Sequence, residues 1–415
     1  MTPRATGFSF HVVARDGRAR QALFRTPHGD VVTPTFMPVG TQGSVKTLAP
    51  GEVAATGAQI VLGNTYHLML RPGAETIGRL GGLHAFTRWP HATLTDSGGF
   101  QAYSLGALGG MADDGVRGAR LEQRASRAAG GRGLVGVSEE GFAFKSHLDG
   151  STHMLTPEHA VRVQAKIGAD IQMQLDVCPP GQSSRDVVQA AVARTTRWAR
   201  RSLATPRPES QALFGIVQGG CFVDLRRAHA EELGGLPFDG LALGGFSVGE
   251  PIERMHETLL DVSEALDAER PRYLMGVGTP RDLVVAIGAG LDMFDCVLPT
   301  RNARNGQALT RFGRVVVKQA RYREDPRPID ERCACACCTG GYSRAYLRHL
   351  YLAREMLSLR LLSVHNLHWY GELMGAARAA IAERRFAAWA REVVAEMASG
   401  DAIASDLDDP APSTR

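Results

Sequence analysis

Seven short apolar runs constrain the fold of this chain more than any other feature. They are Ala58–Leu62, Ala92–Thr95, Ile171–Leu175, Leu213–Val217, Gly240–Leu243, Arg272–Met275 and Leu291–Phe294, and each ends in glycine or polar residues. Continuous apolar runs of this length, bounded by turn residues, read as strands buried on both faces, which is the habit of parallel sheets. Between them lie helical patterns. Pro157–Gly168 carries proline at its start and glycine at its end, both in favoured places. Arg185–Leu203, Pro251–Leu266 and Pro280–Gly288 are further amphipathic helices.

Repeated strand–loop–helix units predict an α/β fold, either a (β/α)8 barrel or an open doubly wound sheet. The polar residues decide between them. Asp96, Asp176, Gln218, Gly245 and Asp295 each lie just past the carboxyl end of a different run. A barrel brings all those ends to one mouth, where active sites form; an open sheet spreads them apart. The expected division is a catalytic barrel over 1–320, a zinc-binding subdomain over 321–370, a C-terminal helix packed on the barrel over 371–398 and a disordered tail over 399–415. Within the barrel, 110–137 is rich in Gly, Ala and Arg, including Arg117, Arg120, Arg124, Arg127 and Arg132, and reads as a mobile surface insertion.

The composition, 44% hydrophobic and 22% charged, suits a globular core. No run approaches the length of a transmembrane helix, and the first residues lack a signal peptide's apolar stretch, so a cytoplasmic protein with no membrane partner is expected. The net charge of +4 permits nucleic-acid binding without arguing for it. Arginine outnumbers lysine greatly, which a GC-rich genome explains as well as phosphate binding does.

Four of seven cysteines crowd into Cys333-Ala-Cys335-Ala-Cys337-Cys338. In a chain read as cytosolic, such clustering points to metal and not to disulfides. Three thiolates and one imidazole from the following helical stretch, which carries His349, His365 and His368, make a closed tetrahedral zinc site with no position for water, hence structural. Spacing alone leaves the histidine open, and leaves Cys337 as a rival to Cys338.

Several motifs in order carry a resemblance: Leu62-Gly-Asn-Thr-Tyr-His-Leu68, Thr95-Asp-Ser-Gly-Gly-Phe-Gln101, Ser146-His-Leu-Asp-Gly150, Gly215-Ile-Val-Gln-Gly219, Tyr273-Leu-Met-Gly-Val-Gly278, Phe294-Asp-Cys-Val-Leu-Pro-Thr-Arg301 continuing to Asn305-Gly-Gln307, and the cysteine cluster with Ser343-Arg-Ala-Tyr-Leu347 and His365-Asn-Leu367. Together they resemble the bacterial tRNA-guanine transglycosylases, the queuine tRNA-ribosyltransferase family, from about Phe8 to about Trp389. The resemblance implies a pentosyltransferase of queuosine biosynthesis. Such an enzyme exchanges the wobble guanine, position 34, of GUN-anticodon tRNAs for a 7-deazaguanine through a covalent carboxylate–ribose intermediate. On matching positions Asp295 is the nucleophile and Asp96 the general acid/base. Asp176, Gln218 and the Gly244–Gly245 backbone bind the base edge, and Phe100 and Met275 cover its two faces. Arg301 and Arg304, just after the nucleophile, are placed for flanking phosphates or bases. The ligand set taken forward is Cys333, Cys335, Cys338 and His365, for one zinc per subunit. A homodimer is implied as well.

The chemistry of these residue types agrees. Breaking a glycosidic bond passes through an oxocarbenium-like state that two carboxylates commonly serve. An ester intermediate conserves the bond energy while bases exchange, a carboxylate accepts adjacent base N–H groups, and a flipped base needs a flat apolar cover. Val248 resembles the pattern of enzymes that take preQ1. Four departures from the family stand out. They are the 110–137 insertion, an extra residue in Thr339–Tyr342, Val-Cys-Pro-Pro-Gly after Asp176, and Phe246 where leucine is common. The larger ring of Phe246 is expected to narrow the base pocket. Rival readings are a non-catalytic tRNA-binding relative, a transglycosylase using queuine or another deazaguanine, and a zinc hydrolase, which would need an open metal at the mouth.

Overall fold

The computed structural model describes residues 5–102 and 134–405. Eight parallel strands close into a barrel: β1 (Thr35–Gly40), β2 (Ile60–Gly63), β3 (Ala92–Thr95), β4 (Ile171–Met173), β5 (Ala212–Val217), β6 (Gly240–Leu243), β7 (Arg272–Leu274) and β8 (Met293–Cys296). Each pairs with its neighbour in sequence, and β8 returns to β1 with Asp295 opposite Met37. This is the (β/α)8 barrel expected from the apolar runs. The one barrel strand with no counterpart among those runs is β1, Thr-Phe-Met-Pro-Val-Gly. Its internal Pro38 is the reason, since proline in a run argues against a strand.

The helices fall close to their expected spans. Pro157–Ile167 begins on Thr156, whose hydroxyl accepts the His159 N–H at 3.1 Å, and ends on Gly168 in the left-handed region at φ 80°. Arg185–Ala204, Val223–Gly234, Ile252–Val262 and Pro280–Gly288 follow successive strands. After β8 come the short helix Leu298–Arg304, the hairpin Gln307–Thr310/Gly313–Val316, the cysteine cluster, the helix Arg344–Leu352 and then Met356–Ala382. This long helix packs on β1 and on Leu298–Arg304, taking the last place in the helical layer and running unbroken across residue 370. Phe386–Ser405 is also helical, so the backbone stays regular past residue 399. Residues 134–137, the end of the Arg-rich segment, form a strand paired with Phe142–Lys145; Arg117, Arg120, Arg124, Arg127 and Arg132 lie outside the described residues.

The barrel interior is filled by Met37, Ile60, Leu94, Ile171, Phe214, Ile216, Tyr273 and Met293, all buried. Its amino-terminal end is closed by the antiparallel sheet Ser9–Asp16, Ala19–Thr26, Gly29–Thr33, whose Phe10, Phe24 and Val31 join the same cluster. Two polar anchors hold that sheet. Arg20 forms a bidentate, fully buried pair with Asp292, 2.8 Å to one oxygen and 2.5 Å to the other. Asp170, also buried, takes His28 at 2.6 Å, His84 at 3.1 Å and the Thr93 N–H at 2.8 Å, with the two imidazoles stacked at 3.5 Å. With this end plugged, the carboxyl ends of the strands form the accessible mouth. Among the described residues no helix is long and apolar enough to cross a membrane.

Candidate active site and metal centre

Three carboxylates converge at the mouth. Asp96 follows β3 directly. Its Oδ2 accepts from the Asn64 amide at 2.5 Å and its Oδ1 from the Thr65 N–H at 2.8 Å, while its main-chain carbonyl accepts the Thr65 hydroxyl. Asn64 caps the helix Thr65–Leu70 through His67 N–H, so one residue starts the helix and holds Asp96. The turn Asp96-Ser-Gly-Gly lies hard against this helix. Gly98 sits at φ 78°, and a Cβ there would come within 2.9 Å of the Tyr66 nitrogen. Burial raises the Asp96 carboxyl to about 7; the Thr65 N–H opposes this, and the charges of Asp295 and Asp176 add to it.

Asp295 is the third residue of β8. Its Oδ1 accepts both the Tyr273 hydroxyl at 2.6 Å and the Gly276 N–H at 2.8 Å. Its Oδ2 takes no hydrogen bond from the described residues. Burial pushes its carboxyl above the ordinary range, and the Tyr273 and Gly276 donors pull it back. Two donors on one oxygen fix the carboxylate plane. The phenol stays protonated, since burial and the Asp295 charge raise it well above its ordinary value.

Asp176 lies three residues past β4, and its Oδ2 accepts from the Gln218 amide at 2.6 Å. Burial raises it to about 6, against the Gln218 bond. Gln218 is the first residue after β5, and its own backbone N–H donates to His229 Nδ1 at 2.9 Å. Gly244 and Gly245 follow β6. They are not equivalent: the Gly244 N–H is spent on the Val217 carbonyl at 3.1 Å, so of the two only the Gly245 N–H has no acceptor among the described residues. Met275 follows β7 and packs against the barrel interior. Phe100, in helical residues 99–102, is 47% exposed at the rim. Arg301 and Arg304 lie three apart, on one face of the helix after β8.

Phe246 stands elsewhere than expected. Its ring is buried in the outer core with the Arg226 guanidinium 3.8 Å from its centroid, a core contact in place of the narrowed pocket. The sequence assigns no role to Asn64, Thr65, Tyr273 or Gly276, although all four lie in the motifs quoted above. An asparagine just before a helix is a capping signal, and it was the available one.

At the metal centre, Cys333, Cys335 and Cys338 place their sulfurs 3.6, 3.5 and 3.4 Å from His365 Nδ1. Zinc bound tetrahedrally with Zn–S near 2.3 Å and Zn–N near 2.0–2.1 Å needs S···N edges of about 3.6 Å, so the donors fit. The four are buried, and Cys337, fully buried in the adjoining apolar cluster, is not among them. His365 Nε2 donates to the Leu309 carbonyl at 3.0 Å, which fixes the tautomer that points Nδ1 at the sulfurs. The site is a closed, structural zinc site. Neighbouring Asn366 bonds Leu309 N–H at 2.8 Å and the carbonyls of Pro299 and Gln307 at 2.8 and 3.0 Å. The metal-bearing helix thereby holds the segment that follows the Asp295 strand.

Comparison with known proteins agrees with this architecture. Residues 16–399 match the family described as queuine tRNA-ribosyltransferase. A queuine tRNA-ribosyltransferase of Sorangium cellulosum is 67% identical over 388 residues, covering 94% of this chain and 92% of that protein. One from Solidesulfovibrio magneticus is 50% identical over 388 residues, covering 93% and 97%. One from Nitratidesulfovibrio vulgaris is 49% identical over 385 residues, covering 92% and 96%. A barrel with its acids at the mouth, a Cys3His centre behind it and likeness along nearly its whole length place the chain in the queuine tRNA-ribosyltransferase family.

Proposed function

We propose that the barrel mouth exchanges the wobble guanine of GUN-anticodon tRNAs for preQ1, through an ester between Asp295 and the ribose. The chain is a tRNA-guanine transglycosylase of queuosine biosynthesis by its family; the base, the intermediate and the residue roles are the reading offered here. Asp295 Oδ2 attacks the ribose anomeric carbon as the glycosidic bond breaks, and the departing guanine takes a proton from Asp96. The incoming base then returns a proton to Asp96 and displaces Asp295, restoring the glycosidic bond. Asp176 accepts N–H groups of the base edge, Gln218 and the Gly245 N–H donate to its ring carbonyl, and Phe100 and Met275 cover its faces. Arg301 and Arg304 meet the tRNA beside the flipped base, and two copies of the chain act on one tRNA.

The observation that carries this reading is the unequal treatment of the two Asp295 oxygens beside an Asp96 raised to about 7. A non-catalytic relative would have no use for either. The test is incorporation of labelled guanine into a GUN tRNA transcript by the wild type and by Asp295→Ala, followed by competition with preQ1 and queuine. Exchange by the wild type alone, blocked better by preQ1, is expected. No exchange by folded, zinc-loaded wild type would defeat the reading.

A further inference from the structure

Arg226, on the helix after β5, is fully buried, and among the described residues it forms no ion pair with a carboxylate. Its partners are main-chain carbonyls. Nε donates to Gly220, Nη1 to Val217 at 3.2 Å, and Nη2 to Gly244 at 2.8 Å and Gly245 at 3.2 Å. The ring of Phe246 covers the guanidinium. A cation without a counter-charge is costly to bury and stays only where it is richly hydrogen-bonded, and burial indeed lowers this one to about 10. The acceptors come from two loops, one on each side of Gln218 and the other at Gly244–Gly245.

The consequence follows from peptide planarity. The Gly244 carbonyl and the Gly245 N–H belong to one trans peptide and point in opposite directions. Turning that carbonyl onto Arg226 turns the N–H away from the core. A Gly-Gly peptide, with Gly245 at φ 68°, has little of its own to prevent a flip. A planar fork with several donors holds adjacent carbonyls as a point-charge ammonium cannot.

We propose that Arg226 is a positioning residue for base recognition: its guanidinium fixes the Gly244–Gly245 peptide so that the Gly245 N–H faces the ring carbonyl of the incoming base. It touches neither base nor tRNA and acts through the two glycines. The proposal rests on the base-binding reading of this mouth.

The experiment measures exchange of labelled guanine into tRNA, varying base and tRNA separately, for wild type, Arg226→Lys and Phe246→Leu. Arg226→Lys should raise KM for guanine about tenfold or more, since lysine keeps the charge and loses the fork. KM for tRNA should stay within about twofold, because tRNA contacts are made elsewhere. The preference for guanine over 6-thioguanine, whose sulfur is a weaker acceptor, should narrow in Arg226→Lys because the oriented N–H is lost. Phe246→Leu loosens the guanidinium without removing a donor, so it should raise KM for guanine alone, by about threefold. It also serves if Arg226→Lys does not fold. Equal changes in both KM values, or an unchanged KM for guanine in folded variants, would overturn the proposal alone. No exchange by the wild type would overturn the base-exchange reading and this proposal with it.

Discussion

The Tyr273 hydroxyl donates to Asp295 Oδ1 from the neighbouring strand at 2.6 Å, the same oxygen that the Gly276 N–H reaches at 2.8 Å. The nucleophile assigned to Asp295 is therefore oriented by β7, the strand beside its own. On that assignment its reactivity depends on a residue buried in the barrel interior.

Tyr273→Phe removes that donor and keeps the ring. A hydrogen bond to a charged acceptor is worth about 1.5–3 kcal/mol, so turnover should fall on the order of 10- to 100-fold. Losing a donor to the ionised form raises the Asp295 pKa, so the acidic limb of the pH–rate profile should move to higher pH. Guanine exchange measured across pH checks both. An unchanged limb would show that Gly276 alone sets the carboxylate.

Asp96 carries the second pH dependence. An ordinary aspartate is ionised above about pH 4 and could not protonate a leaving base near neutrality. Held at about 7, Asp96 is about half protonated near neutrality, so it can both give a proton and take one back. Asn64→Ser keeps a good helix cap and shortens the reach to Oδ2. With one donor lost, the Asp96 pKa rises further, and the limb near pH 7 should shift upward. Asp96→Asn should lower turnover by about 10²–10⁴ with tRNA binding intact, since it removes the proton transfer alone. A mutant with normal turnover would mean the proton moves elsewhere.

The fold and the site were legible in the sequence to different depths. The seven runs and the acids at their ends were readable because a strand buried on both faces has no polar alternation to hide it. The remaining strand, β1, was not, since its Pro38 is the residue that argues against a strand. Asp96, Asp176 and Asp295 were found by position. Tyr273 and Arg226 were not, because their contacts are with neighbouring elements distant in sequence, 22 residues away for Asp295 and 18 for Gly244. Phe246 shows the same limit. Its type and place were readable, but its direction was set by a guanidinium on the preceding helix.

The metal centre distinguishes two adjacent cysteines. Cys338 completes the set around His365 Nδ1, whereas Cys337 lies fully buried in the apolar cluster behind it. Cys337→Ala should retain one zinc per chain at a modest stability cost, the ordinary result of a small core truncation. Cys338→Ala should lose it. Because the Asn366 bonds tie the same helix to Pro299, Gln307 and Leu309, zinc loss should unfold this region and lower exchange, not merely inhibit it. Zinc content by atomic emission, with near-UV circular dichroism during chelation, tests this. Zinc kept by Cys338→Ala would move the ligand assignment to Cys337.

The closed end of the barrel makes a prediction about stability that is separate from catalysis. Arg20 and Asp292 are both fully buried, and each has further bonds: Arg20 to the carbonyls of Ala268 and Arg270, Asp292 from the Arg272 N–H at 2.7 Å. Removing one partner leaves the other as an uncompensated buried charge. Arg20→Met should therefore cost about 3–5 kcal/mol, and Asp292→Asn a similar amount. Replacing both removes both stranded charges, so the double variant Arg20→Met with Asp292→Asn should cost clearly less than the sum of the singles. Turnover of the folded fraction should hardly change, since the pair sits at the amino-terminal end of the strands and the chemistry at the carboxyl end. Urea unfolding of the four proteins, with guanine exchange on each, gives the coupling directly. Strict additivity would mean that the two side chains stabilise the sheet independently, through their backbone partners and not through each other.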